Sequence, residues 1–549
     1  MGFRFAAVIL FFTLLYTSLV SMLYNLQIVN GGLYAAKAAS QLKLAGLLEP
    51  VRGNIYFTDK RGSLILAAMN KPFPFVFAAP KDIEDGKEAA EILAPIVGKP
   101  RELLAKALSD KSDIYEPLIA RPSEAQLSAL KEANINGVYV DEHQSRFYPL
   151  NSLGSQVIGF VSTADAKDAR PVGQYGIERF YNDELFGKEG SVTGDSIVRS
   201  QPGDNIKLTI DRNIQDRGEE IIKNLIAEYR AESGSFIVED PKTGKILAMG
   251  GYPSFDPNNY SAASIKNFLN PNLQEVYEPG SVFKVLTMAA GIDSDSITPD
   301  TTYYDSGSLT LNGRTVRNWD LKSYGTVTMT GVIERSLNTG AAFAERKMGH
   351  QIFRDYLGRF GFKELTGIDL PGERMGSLAP LEGKNARDIN FATASYGQGI
   401  SVTPLQLINA VSAIANHGIM MRPFINEAAG TKTLRRVISE DTASKVAKMM
   451  VSAVDKATIA KVNGYEVAGK TGTAFIPNFG HGGYTDQVIN TYVGFAPATD
   501  PAFTILIKLV KPEGAPLAGL TVVPAFRELA EFLLNYFNSS PDRADGLNR

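Results

Sequence analysis

Ser281 and Lys284, in the segment EPGSVFKVLTMAAGID, are the residues of this 549-residue chain whose types and spacing most directly suggest chemistry. Pro279-Gly280 breaks the chain, and an apolar helix is expected to start at Ser281, with Lys284 on the same face about 5–6 Å away. A serine at a helix N-terminus has backbone N–H groups and the positive end of the dipole beside it, which suits a nucleophile whose attack creates an oxyanion. A neutral lysine amine one turn on can accept the hydroxyl proton. A free lysine has a pKa near 10.4, so burial and a second cation nearby are required to keep the amine neutral. S-x-x-K alone is weak, since average composition gives about two chance matches in a chain of this length. Ser40 with Lys43 and Ser128 with Lys131 also match, and their charged, periodic contexts read as solvated helix surface.

The second group is Ser336-Leu337-Asn338, in IERSLNTGAAFAERKMG, where a short loop between two helical stretches can aim polar side chains into a cleft. On its own it reads first as a helix cap, which serine and asparagine form readily. The third is a K-T-G, which occurs twice. Lys242-Thr243-Gly244 sits in DPKTGK between two apolar runs, so it reads as a hairpin turn with its lysine in solvent. Lys470-Thr471-Gly472 lies inside AGKTGTAFI, a strand whose glycine permits close approach of another backbone. A peptide could add to that edge, with Lys470, Thr471 and Thr473 offering donors to a carboxylate.

Composition narrows the alternatives. The chain has no cysteine and only four histidines, so thiol catalysis, thiolate metal sites and disulfides are excluded, and histidine-based catalysis is disfavoured. His481 is the histidine nearest the K-T-G strand, and no role is assigned to it. A net charge of −3 gives no sign of bulk nucleic-acid binding. Acid–base chemistry then rests on lysine, serine, tyrosine and carboxylates.

Stepping out from these residues, Phe5–Tyr24 is an uncharged apolar run long enough for a bilayer core of about 30 Å. Arg4 on its short side favours a cytoplasmic N-terminus and an exported body. Residues 51–66 read as a hairpin, about 81–132 as helical, and 137–190 as short strands and glycine-rich turns. After residue 201 come a strand, a helix, a hairpin, a long helical middle over about 280–417, three β-rich runs and a final amphipathic helix. The expected class is α+β, with an antiparallel sheet carrying helices on both faces.

Taken together and in this order, the three motifs resemble the S-x-x-K, S-D-N and K-T-G set of penicillin-recognising serine enzymes, with Leu337 where that set has Asp. The chain resembles a class B penicillin-binding protein, most like the division-specific septal subgroup. VRGNIYFTDKRGSLI, RFYPLNSLGSQVIGFV and GQYGIERFYNDELFGKEG resemble its non-catalytic pedestal. DPKTGKILAMGGYPSFDPNNY, TGIDLPGE and YGQGISVTPLQL resemble its transpeptidase domain. The departures are Leu337, and Asn151 with Gln156 where relatives often carry Gly and His. The resemblance implies a stub and anchor over 1–27, a pedestal or dimerisation domain over 28–200, a serine β-lactamase-like transpeptidase domain over 201–538 and a polar tail over 539–549. It implies Ser281 as nucleophile, Lys284 as base, Ser336 with Lys470 as proton relay, and Asn338 on the donor amide and on Lys284. Thr471, Gly472 and Thr473 then form the substrate edge, and the N–H groups of Ser281 and Thr473 the oxyanion hole. It further implies D,D-transpeptidation of peptidoglycan stem peptides, covalent binding of β-lactams, no cofactor or metal, no nucleic acid, and a single-pass membrane location. A polytopic glycan polymerase and division proteins are the implied partners. An elongation-specific transpeptidase, a D,D-carboxypeptidase and a β-lactam sensor would use the same motifs.

Overall fold

The computed structural model describes residues 2–24, 48–113, 115–162, 171–193, 196–384, 386–478, 480–515 and 517–543. Ser40 with Lys43 and the segment LQIVNGGLY lie outside them. The chain divides into two compact units, Met1–Gly53 with Asp183–Asn205, and Asn54–Asn182 with Ile206–Arg549.

The first unit contains helix α1, Gly2–Tyr24, and a small ladder in which Gly190 N–H donates to Leu48 O and Gly203 N–H to Val51 O. Every described side chain of α1, from Ile9 to Tyr24, is exposed. Among the described residues no helix is long and apolar enough to cross a membrane.

The second unit begins with a five-stranded sheet. Strand β1, Ile55–Thr58, turns through Asp59–Gly62 into β2, Ile65–Ala78, as the expected hairpin. Asp59 Oδ1 accepts the N–H groups of Arg61 and Ser63, and Gly62 takes the left-handed conformation that closes the turn. Helices α2 (Gly86–Val97), α3 (Arg101–Ser109) and α4 (Glu124–Ala133) bury Leu93, Leu104, Leu108 and Leu130 against Val76 and Ala78 of β2. One strand interrupts the helical run expected there: Pro117 disfavours helix, and Glu116–Ile119 forms β3 on the edge of β2. Strand β4, Val138–Phe147, pairs with β2 from Met69 to Ala78. Ser128 and Lys131 are exposed on α4, as solvated helix surface.

Strand β5, Ile206–Asp211, pairs in parallel with β1 and leads into α5, Arg212–Tyr229, capped by Asp211. A second five-stranded sheet follows, antiparallel throughout. Its strands are β6 (Ser233–Glu239), β7 (Ile246–Tyr252), β8 (Ala468–Pro477), β9 (Tyr484–Ala496) and β10 (Phe503–Val510), in the order β7-β6-β10-β9-β8. Helices cover both faces, as expected. Phe503, Ile505, Ile507 and Leu509 of β10 cluster with Ile214 and Ile221 of α5 and with Phe526 and Leu529 of the last helix, α11, Val522–Tyr536. The opposite face packs on α9, Pro404–Ala415, every residue of which is buried. The first K-T-G is the turn between β6 and β7, and Lys242 pairs with Asp500 at the surface.

The helical middle needs one correction. Residues 302–328 form two small antiparallel pairs, Thr302–Asp305 with Gly325–Thr328 and Ser308–Leu311 with Arg314–Arg317. Tyr, Thr and Val favour extended backbone, and Gly307, Gly313 and Gly325 adopt positive φ at the turns.

Strand β4 and the short helix Gly176–Phe180 are joined by a buried ion pair. Arg146 Nε donates to Glu178 Oε1 at 2.6 Å, with side chains only 5% and 0% exposed, and Tyr148 Oη donates to the same oxygen. Glu178→Ala would leave Arg146 buried without its carboxylate, and unfolding free energy should fall by about 3–5 kcal/mol. Denaturant titration measures this, and a loss below about 1 kcal/mol would show that water already compensates the pair.

Candidate active site

Gly280–Phe283 forms a 3-10 turn, and the α-helix proper, α6, spans Lys284–Asp293. The sequence pattern had placed the α-helix start at Ser281. The tighter turn improves the geometry, because side chains at i and i+3 eclipse in a 3-10 helix. Lys284 Nζ consequently lies 2.9 Å from Ser281 Oγ. Helix α6 is buried from Lys284 to Ile292, so the amine is held in the core with its tip in the cleft.

Helices α7 (Met329–Arg335) and α8 (Asn338–Met348) meet at the S-x-N. Ser336 ends α7 in the left-handed conformation, φ 57 and ψ 45, which is uncommon for a residue with a Cβ. That turn directs both its carbonyl and its hydroxyl at lysines. Lys284 Nζ donates to Ser336 O at 2.6 Å and lies 3.2 Å from Ser336 Oγ. Lys470 Nζ donates to Ser336 Oγ at 3.0 Å and to Thr471 O at 3.1 Å. Leu337 is fully buried, so the middle position of the motif points into the core and not into the cleft.

Lys470, Thr471, Gly472 and Thr473 lie on β8, the edge strand. Gly472 is there for space: a Cβ would sit 2.7 Å from Pro279 O and 2.8 Å from Val282 Cγ2. Without it the strand and the 3-10 turn lie side by side, with Gly280 against Thr473. Thr473 Oγ1 accepts from Ala518 N–H and keeps its own proton to donate.

Ser281, Lys284, Ser336 and Lys470 are therefore brought together, and Thr471, Gly472 and Thr473 border them. Asn338 differs from expectation. Its Nδ2 donates to Arg317 O at 2.8 Å, and it makes no hydrogen bond to Lys284; the Ser336 carbonyl holds that amine instead. Sequence reasoning also missed the loop behind Ser281. Gly280 N–H donates to Gly397 O, and a Cβ on Gly397 would lie 2.3 Å from Gly280 O. The Tyr396 ring lies 5.9 Å from Lys284 Nζ. The two glycines of YGQG were the available signal.

Electrostatics completes the site. Burial pushes the Lys284 amine well below the usual lysine range, and the Lys470 cation pushes it further. Burial brings Lys470 down to about 7. Both effects favour the neutral form of the amine that contacts the serine hydroxyl, the form a serine nucleophile requires.

Comparison with known proteins agrees with this geometry. Residues 234–531 match the model of the penicillin binding protein transpeptidase domain, and residues 47–222 that of the penicillin-binding protein dimerisation domain. Stage V sporulation protein D of Bacillus subtilis is 31% identical over 94% of this chain and 83% of that protein. The peptidoglycan D,D-transpeptidase FtsI of Escherichia coli is 28% identical over 88% of this chain and 84% of that protein. Among solved structures, penicillin binding protein 3 of Mycobacterium tuberculosis, complexed with aztreonam, is similar with a TM-score of 0.69 and 26% identity, covering 91% of this chain and 98% of that one.

Replacing Lys470 with Met removes the cation beside Lys284 while keeping its apolar stem. The Lys284 titration, followed by NMR of side-chain-labelled lysine, should move to higher pH. A shift to lower pH, or none, would refute the coupling of the two amines.

Proposed function

We infer the function from one premise: the chain belongs to the class B penicillin-binding proteins, which join a dimerisation domain to a penicillin-binding transpeptidase domain. It is a peptidoglycan D,D-transpeptidase acting through a serine ester. The observation that carries this reading is the buried Lys284 amine 2.9 Å from Ser281 Oγ, its pKa lowered by burial, with Ser336 bridging to Lys470.

In this reading the penultimate D-Ala carbonyl of a stem peptide lies beside β8. Lys284 takes the Ser281 proton as Oγ attacks, and the N–H groups of Ser281 and Thr473 stabilise the oxyanion. The amide bond to the terminal D-Ala breaks, and its nitrogen leaves with a proton relayed through Ser336 Oγ from the lysines. Thr471 and Thr473 hydroxyls hold the donor carboxylate. Asn338, its Nδ2 committed to Arg317 O, offers Oδ1 to the donor's amide N–H. An amine of a neighbouring stem then attacks the ester, loses its proton along the same relay and frees Ser281, leaving a new amide crosslink. A β-lactam follows the first half and stays attached.

The division-specific, septal role rests on the S-x-N wording and on likeness to FtsI. The single-pass anchor rests on α1. Its length of 23 residues gives about 34 Å at 1.5 Å per residue. Its large apolar side chains from Ile9 to Tyr24 are exposed among the described residues. The catalytic part is extracytoplasmic in this arrangement. The proposed division is an anchor over 1–27, pedestal over 28–200, transpeptidase domain over 201–538 and tail over 539–549, with a polytopic glycan polymerase as the partner that supplies strands.

Fluorescent penicillin should label the chain, with the adduct mapping to Ser281. Ser281→Ala and Lys284→Arg should both abolish it, the latter because guanidinium cannot give up its proton. The acylation rate should fall at low pH, as the Lys284 amine regains its proton and can no longer take the one on Ser281. An adduct elsewhere, or a rate with no ionisation below about 9, would sink the mechanism. With a peptide donor and an amine acceptor, crosslinked product is expected; hydrolysis alone would assign a carboxypeptidase.

In growing cells a fluorescent fusion should gather at division sites, and deletion of residues 2–24 should release the chain from membranes. Uniform lateral labelling would instead support an elongation role.

A further inference from the structure

Helix α8 begins without a cap of its own. Leu337 occupies its N-cap position and makes no side-chain hydrogen bond. Leucine is among the poorest residues there, since the first N–H groups of a helix need an acceptor. The acceptor comes from a distant loop. Asn318 Oδ1 accepts from Asn338 N–H at 3.1 Å and from Thr339 N–H at 3.3 Å.

Both neighbours of Asn318 grip the same turn. Arg317 O accepts from Asn338 Nδ2 at 2.8 Å, and Trp319 Nε1 donates to Arg335 O at 3.1 Å. Residues 317–319 thus hold α7's last residue on one side of Ser336 and α8's first residues on the other. Asn318 itself is fixed from behind. Its Nδ2 donates to Asp305 Oδ1 at 3.0 Å and Oδ2 at 2.9 Å. Asp305 also accepts from Thr339 Oγ1 at 2.7 Å and from the N–H groups of Gly307 and Tyr324. Asp305, Asn318 and Thr339 are 0%, 1% and 5% exposed, so these polar groups have each other and not water.

We propose that Asp305, Asn318 and Trp319 are positioning residues for the nucleophile's base: they clamp the Ser336 turn so that its carbonyl and hydroxyl meet Lys284 and Lys470. The proposal rests on the transpeptidase reading above. Ser336 holds a left-handed conformation that favours glycine, and such backbone persists only where surrounding contacts over-determine it. The clamp supplies those contacts from both sides. Loosening it lets the Lys284 amine drift from Ser281 Oγ and admits water, whose hydration favours the protonated amine.

The test is stopped-flow acylation of the full chain by a chromogenic cephalosporin, separating noncovalent binding from the acylation step, across pH. Asn318→Ala should slow the acylation step by about tenfold or more, in line with the cost of small displacements at a reacting centre, while leaving noncovalent affinity near its original value. The rising limb of its pH profile should move to higher pH. Asp305→Asn combined with Asn318→Asp keeps the amide–carboxylate contact and gives α8 a carboxylate cap, and should recover acylation relative to Asn318→Asp alone, which opposes two carboxylates. Trp319→Phe, at an exposed ring, removes one donor without touching the core and should slow acylation by about twofold to fivefold with an unchanged melting temperature.

Unchanged acylation and pH profile in a folded Asn318→Ala overturn the proposal. If that variant does not fold, the Trp319→Phe result decides in the same way. An unaltered pH limb alongside a lower melting temperature assigns these residues to stability alone and overturns it too. Failure of the parent chain to acylate overturns the transpeptidase reading, a separate outcome.

Discussion

Two lysine amines share one serine hydroxyl, and the fold around them is arranged so that both cannot carry a proton comfortably. Lys284 and Lys470 are each buried and each within hydrogen-bond reach of Ser336 Oγ. In water two ammonium groups near one another repel weakly; in a poorly solvated site the repulsion and the lost hydration both favour deprotonation. The lowered pKa of one amine depends on the charge of the other. The protonation of the two amines is therefore linked, and a charge on Lys470 favours the neutral form of the base, Lys284.

Keeping that cluster dry and registered is the task of three elements far apart in the chain. Helix α6 delivers Ser281 and Lys284 in one 3-10 turn, the α7–α8 turn delivers Ser336, and edge strand β8 delivers Lys470. Edge position matters, because an inner strand would have no free side for a peptide. The absent side chains of Gly472 and Gly397 allow the Ser281 turn to lie between β8 and the YGQG loop. A rigid sheet with helices on both faces then fixes the strand at the resolution the chemistry needs.

Much of this was legible in the residues. Serine–lysine spacing, the buried-helix context of Ser281 and the strand context of the second K-T-G were sufficient to separate the motifs that the structure brings into contact from those it leaves at the surface. The solvated Ser128–Lys131 pair and the Lys242 turn lie where their local sequence indicated. The four residues brought into contact are those the motifs named. What local sequence could not reveal were long-range partners. Whether Asn338 reaches Lys284 or Arg317 O depends on a loop twenty residues upstream. The two small strand pairs over 302–328 were hidden because short apolar runs among helices read as helix until their turn glycines are weighed. Asn151 illustrates a substitution that is physically mild: it sits at φ 53, in the left-handed region that asparagine tolerates better than most residues with a side chain.

Leu337 shows how a departure from a motif relocates a physical requirement without removing it. A polar residue at that position could cap α8 itself. Leucine gains complete burial in the core and loses the cap, and the orphan N–H groups must then find an acceptor elsewhere. Asn318 provides it only because Asp305 orients its amide, so the consequence of one apolar substitution extends through a buried network to a strand pair outside the motif. Within such a network each polar group is satisfied only if the next one is, which makes the arrangement cooperative. The variable letter of S-x-N therefore carries information about the chain around it: its side chain belongs to the core, and its chemistry decides where the support for the reactive serine turn has to come from.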